Sequence, residues 1–327
     1  MITPAVDAAA IDRAVEVLRR GGLVAVPTET VYGLAADADN EEAVRKLFAA
    51  KGRPSDHPVI VHVHDANAFD DWAVEVPDAA RILSAAFWPG PLTLVLKRGA
   101  RARDVLTGGQ DSVGLRSPAH PWAQALLQAF DGALAAPSAN SFGRISPTTA
   151  QHVIDDLGVK PRGKIDFVLD GGACPLGIES TIVDVRSDTP TLLRPGAITR
   201  EQLQTALQRA VVDAGVQSPR TSGRLEKHYA PHTPLSVVPV DRLATVLSKP
   251  GKARIAVLAP LGLLQNCQAD VSLAIAAPEQ VDDYARLLYS WLHRLDASGA
   301  DRMLVAAPPD GPQWEAVRDR LRRAETQ

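Results

Sequence analysis

Cysteine is nearly absent: Cys174 and Cys267 are the two in 327 residues. That is too few for a disulfide framework or a zinc set, and is usual for a reducing cytosol. Aromatic residues make up only 5% of the chain, which leaves little material for stacking bases. Charge of one sign is not in excess either, since 35 Lys and Arg face 38 Asp and Glu for a net −3. Nonspecific binding to duplex or to an anionic membrane gains no support, although a local basic patch stays open. No apolar run approaches the ~20 residues that a membrane-spanning helix needs. The opening stretch MITPAVDAAAIDRAVEVLRR turns amphipathic and charged instead of presenting a signal-peptide core, so a cytoplasmic location is expected. Catalytic signatures are missing too: there is no G-x-S-x-G elbow and no H-E-x-x-H helix, and the eight histidines lack a compact ligand spacing. GVKPRGKI (158–165) comes close to a phosphate-binding loop. It has Ile165 where a hydroxyl should hold magnesium, however, and it follows a helical segment instead of a strand.

What is present describes a folded α/β protein. A hydrophobic fraction of 46% with 22% charged residues gives no case for disorder, and the length predicts two units. Asp7 is placed to cap a helix over 7–20, with Ile11, Val15 and Leu18 at helical spacing and Gly21 and Gly22 as the stop. LVAVP (23–27) reads as a buried strand, TETVYGLAADAD (28–39) as a loop, and NEEAVRKLFAAKG (40–52) as a helix capped by Asn40. Further strands are predicted at VIVHV, LTLVL, ALAA, FVLD, STIVDV and TLLR, with helices around 77–87, 121–130 and 148–157. EQLQTALQRAVV reads as a helix to about 212, closing a catalytic domain of 1–212; a Gly-, Pro- and Ser-rich linker of 213–234 follows. Beyond it, LSVVPV, RIAVLAP, VSLAIAA and MLVAAPP as strands, with VDDYARLLYSWLHRLDASG and WEAVRDRLRRAE as helices, predict an open, Rossmann-like α/β domain over 235–327. It lacks the G-x-G-x-x-G fingerprint of a dinucleotide site.

Polar clusters sit at the ends of the apolar runs, where α/β folds place ligand crevices. PTETVYGL offers the hydroxyls of Thr28, Thr30 and Tyr32 with Gly33 for close backbone approach. The same residues also suit an ordinary threonine-bonded turn. In KGRPSDHPVIVHV, Lys51 and Arg53 on a proline-stiffened loop suit an anion, or simply the negative end of a helix dipole. His62 lies within the strand, where alternation decides which face it joins. Arg116 in SVGLRSPAHP either caps a carboxylate of the fold or binds one from a substrate. Ser138, Asn140, Ser141, Arg144 and Ser146, then Ser180 with Thr181, then Arg194, continue the pattern. Five cations at loop positions in a chain without basic excess predict one positive pocket for a triphosphate and a small carboxylate. Catalysis there would be positioning and electrostatics, because no activated nucleophile is visible.

In order, PTETVYGLAADA, KGRPSDHPVIVHV, FWPGPLTLVL, VGLRSPAHP, APSANSFGRISPTTAQHV, GGACPLGIESTIVD and LLRPGAIT closely resemble the threonylcarbamoyl-AMP synthase family with its YrdC-like domain. The HYAP element and the downstream segment resemble the long form with a C-terminal extension. The resemblance implies a twisted mixed sheet with flanking helices and an enzyme that joins L-threonine, bicarbonate or CO2, and ATP into threonylcarbamoyl-AMP. That product would pass to a tRNA threonylcarbamoyl transferase machinery; direct contact with tRNA is left open. By the same resemblance, Thr30, His62, Arg116, the backbone of Ala136 and Ser180 match the threonine site. Arg53, His57, the backbone near Ser112, Ser138, Ser146, Arg194 and Tyr229 match the ATP site, and Lys51 matches the lysine that helps hold phosphate. Position 57 carries His where the motif is associated with Asn. Mg2+ is expected with the nucleotide, held by phosphate oxygens and water. A linker carrying Tyr229 would fold over the pocket as a lid. Two other classes remain at this point: a noncatalytic RNA-binding module and a transferase using carbamoyl phosphate. Threonine- and bicarbonate-dependent pyrophosphate release separates them.

Overall fold

Asp7 accepts a hydrogen bond from Ala9 N and starts the helix Ala8–Arg19, which buries Ile11, Ala14, Val15, Val17 and Leu18, as the spacing predicts. The computed structural model describes residues 5–223, 227–248, 253–265, 267 and 269–326. Of the expected linker 213–234, residues 224–226 lie outside the described residues. Two compact units are present. One comprises Met1–Phe142, Pro147–Pro175 and Glu179–Arg224; the other comprises Gly143–Ser146, Leu176–Ile178 and Leu225–Gln327.

The first unit is built on β1 (Val24–Val26), β2 (Gly33–Asp37), β3 (Ile60–His62), β4 (Leu92–Lys97), β5 (Ser112–Arg116), β6 (Leu134–Ala135), β7 (Phe167–Val168), β8 (Thr181–Asp184), β9 (Thr191–Arg194) and β10 (Val212–Asp213). They form one mixed sheet in the order β10-β9-β8-β4-β5-β3-β6-β2-β1-β7. Side chains alternate between its faces. One face carries Ala25, Leu34, Ala36, Val61, Leu94, Leu96, Leu115 and Val183 into the main core. The opposite face is divided. At one end Val24, Val26, Ala35 and Leu134 pack beneath the helices Ala8–Arg19 and Pro121–Phe130. At the other, across β3, β5, β4 and β8, that face holds polar side chains and only a small apolar group of Val95, Ile182 and Leu193. The candidate site lies on this polar half.

Two expectations for this unit are corrected. The 28–39 segment is not all loop: Gly33–Asp37 forms β2, antiparallel to β1 with Val26 opposite Gly33. Its Gly-Leu-Ala-Ala sequence lacks the β-branched residues that mark a strand, and burial makes it one. The helix expected to run to about 212 is Arg200–Leu207, with Thr199 and Gln202 forming a capping box and Gln208 in the left-handed region at φ 52°. Val212 and Asp213 then pair in parallel with β9.

The second unit has a parallel sheet of β11 (Leu235–Val238), β12 (Ile255–Pro260), β13 (Val271–Ala277) and β14 (Arg302–Ala306), in the order β11-β14-β12-β13. Strand and helix alternate as expected, with the last strand inserted between the first two. LSVVPV is a strand only to Val238; Pro239 then leads the helix Val240–Leu247, whose Leu243 and Leu247 are buried. The helices Val281–Asp296 and Glu315–Ala324 complete this unit. Among the described residues no helix is long and apolar enough to cross a membrane.

Candidate active site

Register brings His62, Arg116 and Arg194 onto the polar half-face. His62 lies directly beside Arg116 in the parallel pairing of β3 and β5, so both side chains project the same way. Thr93 of β4 shares that face and lies 2.8 Å, hydroxyl to hydroxyl, from Ser180. A register shift between Ile182 and Val183 sets Arg194 opposite Ile182. Arg194 consequently reaches back to Ser180, donating from Nε and Nη2 to its carbonyl at 3.1 and 2.9 Å and from Nη2 to its hydroxyl at 3.1 Å.

Of these residues Thr93 also lines a narrow cleft of about 20 Å3, together with Ile60, Val95, Ser112, Gly114 and Ile182. Arg220, Thr221 and Ser222, from the stretch read as linker, also line it. Arg220 exchanges two hydrogen bonds with the Gln110 side chain, at 2.7 and 3.1 Å, and pairs with Asp56 at 3.1 Å. Ser222 receives Arg53 Nη2 on its hydroxyl at 3.2 Å and Arg194 Nη1 on its carbonyl at 3.0 Å. Two cations far apart in sequence thus converge on one linker residue. Arg53 Nη2 also donates to Pro58 O at 2.6 Å, whereas its buried Nε has no hydrogen-bonding partner among the described residues. Burial pushes the Arg53 guanidinium down to about 10, still charged at neutral pH. Burial, then the neighbouring Arg116 cation, holds His62 well below the usual histidine range, so its imidazole is neutral. His57 is lowered too, by burial and then by Arg53, and stacks edge-on to Phe142 at 5.3 Å.

Four expected residues have partners or places that sequence did not show. The buried Lys51 ammonium donates to Ser138 O at 2.5 Å and to Asn140 O. Burial, then Arg53, drives its pKa well below the ordinary lysine value. Lys51 thereby holds the 138–142 loop, which Asp156 grips as well through Ser141 N at 2.7 Å. Arg116 already holds a carboxylate of the fold, with Nη2 donating to Glu29 Oε1 at 2.6 Å. Glu29 drew no attention in the sequence because nothing in PTETVYGL marks its partner. Ser146 and Tyr229 belong to the second unit. Tyr229 is fully buried there at φ 63°, with its ring 4.2 Å from His228, 5.6 Å from Tyr289 and under Arg320.

The remaining predicted positions have local partners in the fold. Thr28 Oγ1 donates to Val31 O at 2.6 Å and accepts from Thr30 N and Val31 N, both at 3.2 Å, so the turn is self-bonded and lodges the Thr30 hydroxyl 2.8 Å from it. Tyr32 is committed to structure, its hydroxyl donating to Gly172 O at 2.7 Å. Ala136 N donates to Ile60 O at 3.0 Å. Ser138 bridges Gly33, and Ser112 opens β5 opposite Lys97. The near phosphate loop at 158–165 follows the helix Ala150–Asp156 and closes on itself, with Gly163 N donating to Val159 O at 3.0 Å.

A family model described as "Telomere recombination", for Sua5, YciO and YrdC, matches residues 16–196. A second, "Threonylcarbamoyl-AMP synthase, C-terminal domain", matches 198–325. Relatives named threonylcarbamoyl-AMP synthase include one from Bacillus subtilis, 38% identical over 96% of this chain and 92% of its own. Another, from Pyrococcus abyssi, is 36% identical over 94% of this chain and 91% of its own. A crystal structure of P. abyssi Sua5 complexed with L-threonine superposes with a TM-score of 0.89 at 35% identity, covering 98% of this chain and 95% of that one. The chain belongs to the Sua5/YciO/YrdC family, in the form that carries the threonylcarbamoyl-AMP synthase C-terminal domain.

Proposed function

We propose that this enzyme condenses L-threonine, bicarbonate or CO2, and ATP into L-threonylcarbamoyl adenylate and pyrophosphate, in the cytoplasm, for transfer to tRNA by a downstream transferase. One observation carries the reading: a polar half-face of the sheet holds His62 beside Arg116 and Ser180 beside Arg194, with Arg53 and Arg194 meeting at Ser222. A carboxylate-sized subsite and a polyanion-sized one would therefore adjoin.

In this reading threonine lies among Thr30, His62, Arg116, Ala136 and Ser180. Its amine nitrogen bonds the carbon of CO2 and releases a proton, giving a carbamate. A carbamate oxygen then attacks the α-phosphorus of ATP, and the bond to the bridging oxygen breaks with pyrophosphate leaving. His62, neutral, accepts a hydrogen bond from substrate instead of adding a second cation beside Arg116. Arg53 and Arg194 meet the phosphates as forks, with His57, Ser112 and Ser138 around the nucleotide. No side chain forms a covalent intermediate, so the rate comes from alignment and charge stabilisation.

ATP phosphates would take the donors that Ser222 now satisfies. The 220–222 strap would move to admit them and then close over a water-sensitive mixed anhydride. Mg2+ would enter on the phosphate oxygens of ATP, lowering their charge.

The test is pyrophosphate release from ATP by the full chain. Release that requires both threonine and bicarbonate supports the synthase. Release that is independent of threonine, or that needs carbamoyl phosphate in place of bicarbonate, overturns it.

A further inference from the structure

Glu29 is 6% exposed, and the turn that carries it does not need it. Thr28 supplies the turn's own hydrogen bonds, and the Glu29 carboxylate crosses to other segments. Oε1 accepts from Arg116 Nη2 at 2.6 Å, and Oε2 accepts from Ala119 N at 3.0 Å. Arg116 is held at a second nitrogen, where Nε donates to Gly90 O at 3.3 Å. Gly90 N in turn donates to Ser117 O at 2.7 Å, and Ser117 Oγ donates to His64 O at 2.6 Å. The guanidinium is thus fixed along Nε and Nη2, while Nη1 has no hydrogen-bonding partner among the described residues.

A buried charged pair is a poor device for stability alone, because desolvation cancels much of its attraction and apolar replacements are often as stable. Here the pair sits on the polar half-face, next to His62. We propose that Glu29 is a positioning residue for the amino-acid substrate: by holding Arg116 at Nη2, beside the Nε that Gly90 O holds, it leaves Nη1 for the substrate α-carboxylate. This rests on the assignment of the His62–Arg116 subsite to threonine given under Proposed function. Because Glu29 also neutralises the guanidinium, the subsite carries little net charge when empty. An α-amino acid, itself a zwitterion, suits it better than a simple carboxylate anion does.

The full chain is compared with Glu29→Gln, Glu29→Asp and Arg116→Ala, measuring KM for threonine and for ATP in pyrophosphate release together with the thermal midpoint. Glu29→Gln keeps the shape but leaves one of its two donors facing an amide. Its threonine KM should rise ~tenfold or more while its ATP KM stays within about twofold, as for loss of a charged hydrogen bond confined to one subsite. Glu29→Asp, which keeps the charge at shorter reach, should show a smaller rise of the same selectivity; if Glu29→Gln does not fold, this variant carries the comparison. A raised threonine KM in Arg116→Ala with an unchanged one in the Glu29 variants overturns the role of Glu29 and leaves the threonine assignment standing. Unchanged threonine KM in all three overturns the assignment as well. Equal rises for threonine and ATP would mark Glu29 as structural only and overturn the proposal.

Discussion

At the scale of single residues, the chemistry of a cation is easier to read than its partner. Lys51 ends the helix Glu41–Lys51 with Gly52 in the left-handed region at φ 64°, a position the dipole favours. Its Nζ then turns to the carbonyls of Ser138 and Asn140, and its own carbonyl accepts from Phe142 N at 2.8 Å. Three contacts from one residue hold the loop that presents Ser138. Lys51→Met keeps the length and removes both side-chain hydrogen bonds, at a cost of about 1–3 kcal/mol. The thermal midpoint should fall and the ATP KM rise, with threonine KM moving less. A melting curve and ATP KM equal to those of the native chain would show that the loop holds itself.

At the scale of elements, the polar half-face follows from strand parity, and parity was legible. Alternation in VIVHV puts Val61 in the core and His62 on the other side, and β5 repeats the pattern with Leu115 and Arg116. What sequence could not supply was pairing across long separations. Glu29 meets Arg116 across 87 positions, and Arg53 meets Ser222 across 169; nothing local in either segment encodes the other. The alanine-rich β2 was hidden for a different reason, since its strand conformation comes from burial between β1 and β6 and not from propensity. The turn before β5 shows how closely such elements are fitted. Gly108 has φ 61°, and a Cβ there would come 2.3 Å from Asp56 O, in the loop that carries Arg53. Arg220 Nη2 also donates to Gly108 O at 3.1 Å. Gly108→Ala should therefore push the 53–58 loop outward and lower stability by about 1–3 kcal/mol. ATP KM should rise through displaced Arg53. Chemical denaturation together with ATP KM checks this; an unshifted midpoint and KM would mean that the two loops separate at no cost.

At the scale of the molecule, domain order in sequence and compact units in space do not coincide. The family models meet between 196 and 198, whereas the units change over at Arg224 and Leu225, inside the stretch read as linker. The second unit also takes in Gly143–Ser146 and Leu176–Ile178. Within it, Ala230 N donates to Gly143 O at 2.8 Å, Arg144 Nη1 donates to Pro231 O at 3.2 Å, and His293 Nε2 lies 3.2 Å from Ser146 O. Gly177 packs so closely on the backbone of Arg286 that a Cβ would lie 2.2 Å from its carbonyl oxygen. Ending the chain after 212 would therefore remove two things: the partners of these two short segments, and the 220–222 strap over the cleft. Hydrogen exchange should quicken at 143–146 and 176–178 while β3, β4 and β5 keep their protection, because local opening follows the loss of local contacts. The shortened enzyme should also release more hydrolysed adenylate per pyrophosphate formed than the full chain, since nothing from 220–222 would exclude water from the anhydride. Equal ratios in the two proteins would remove the strap from the mechanism, and unchanged exchange in both segments would show that the first unit holds them unaided.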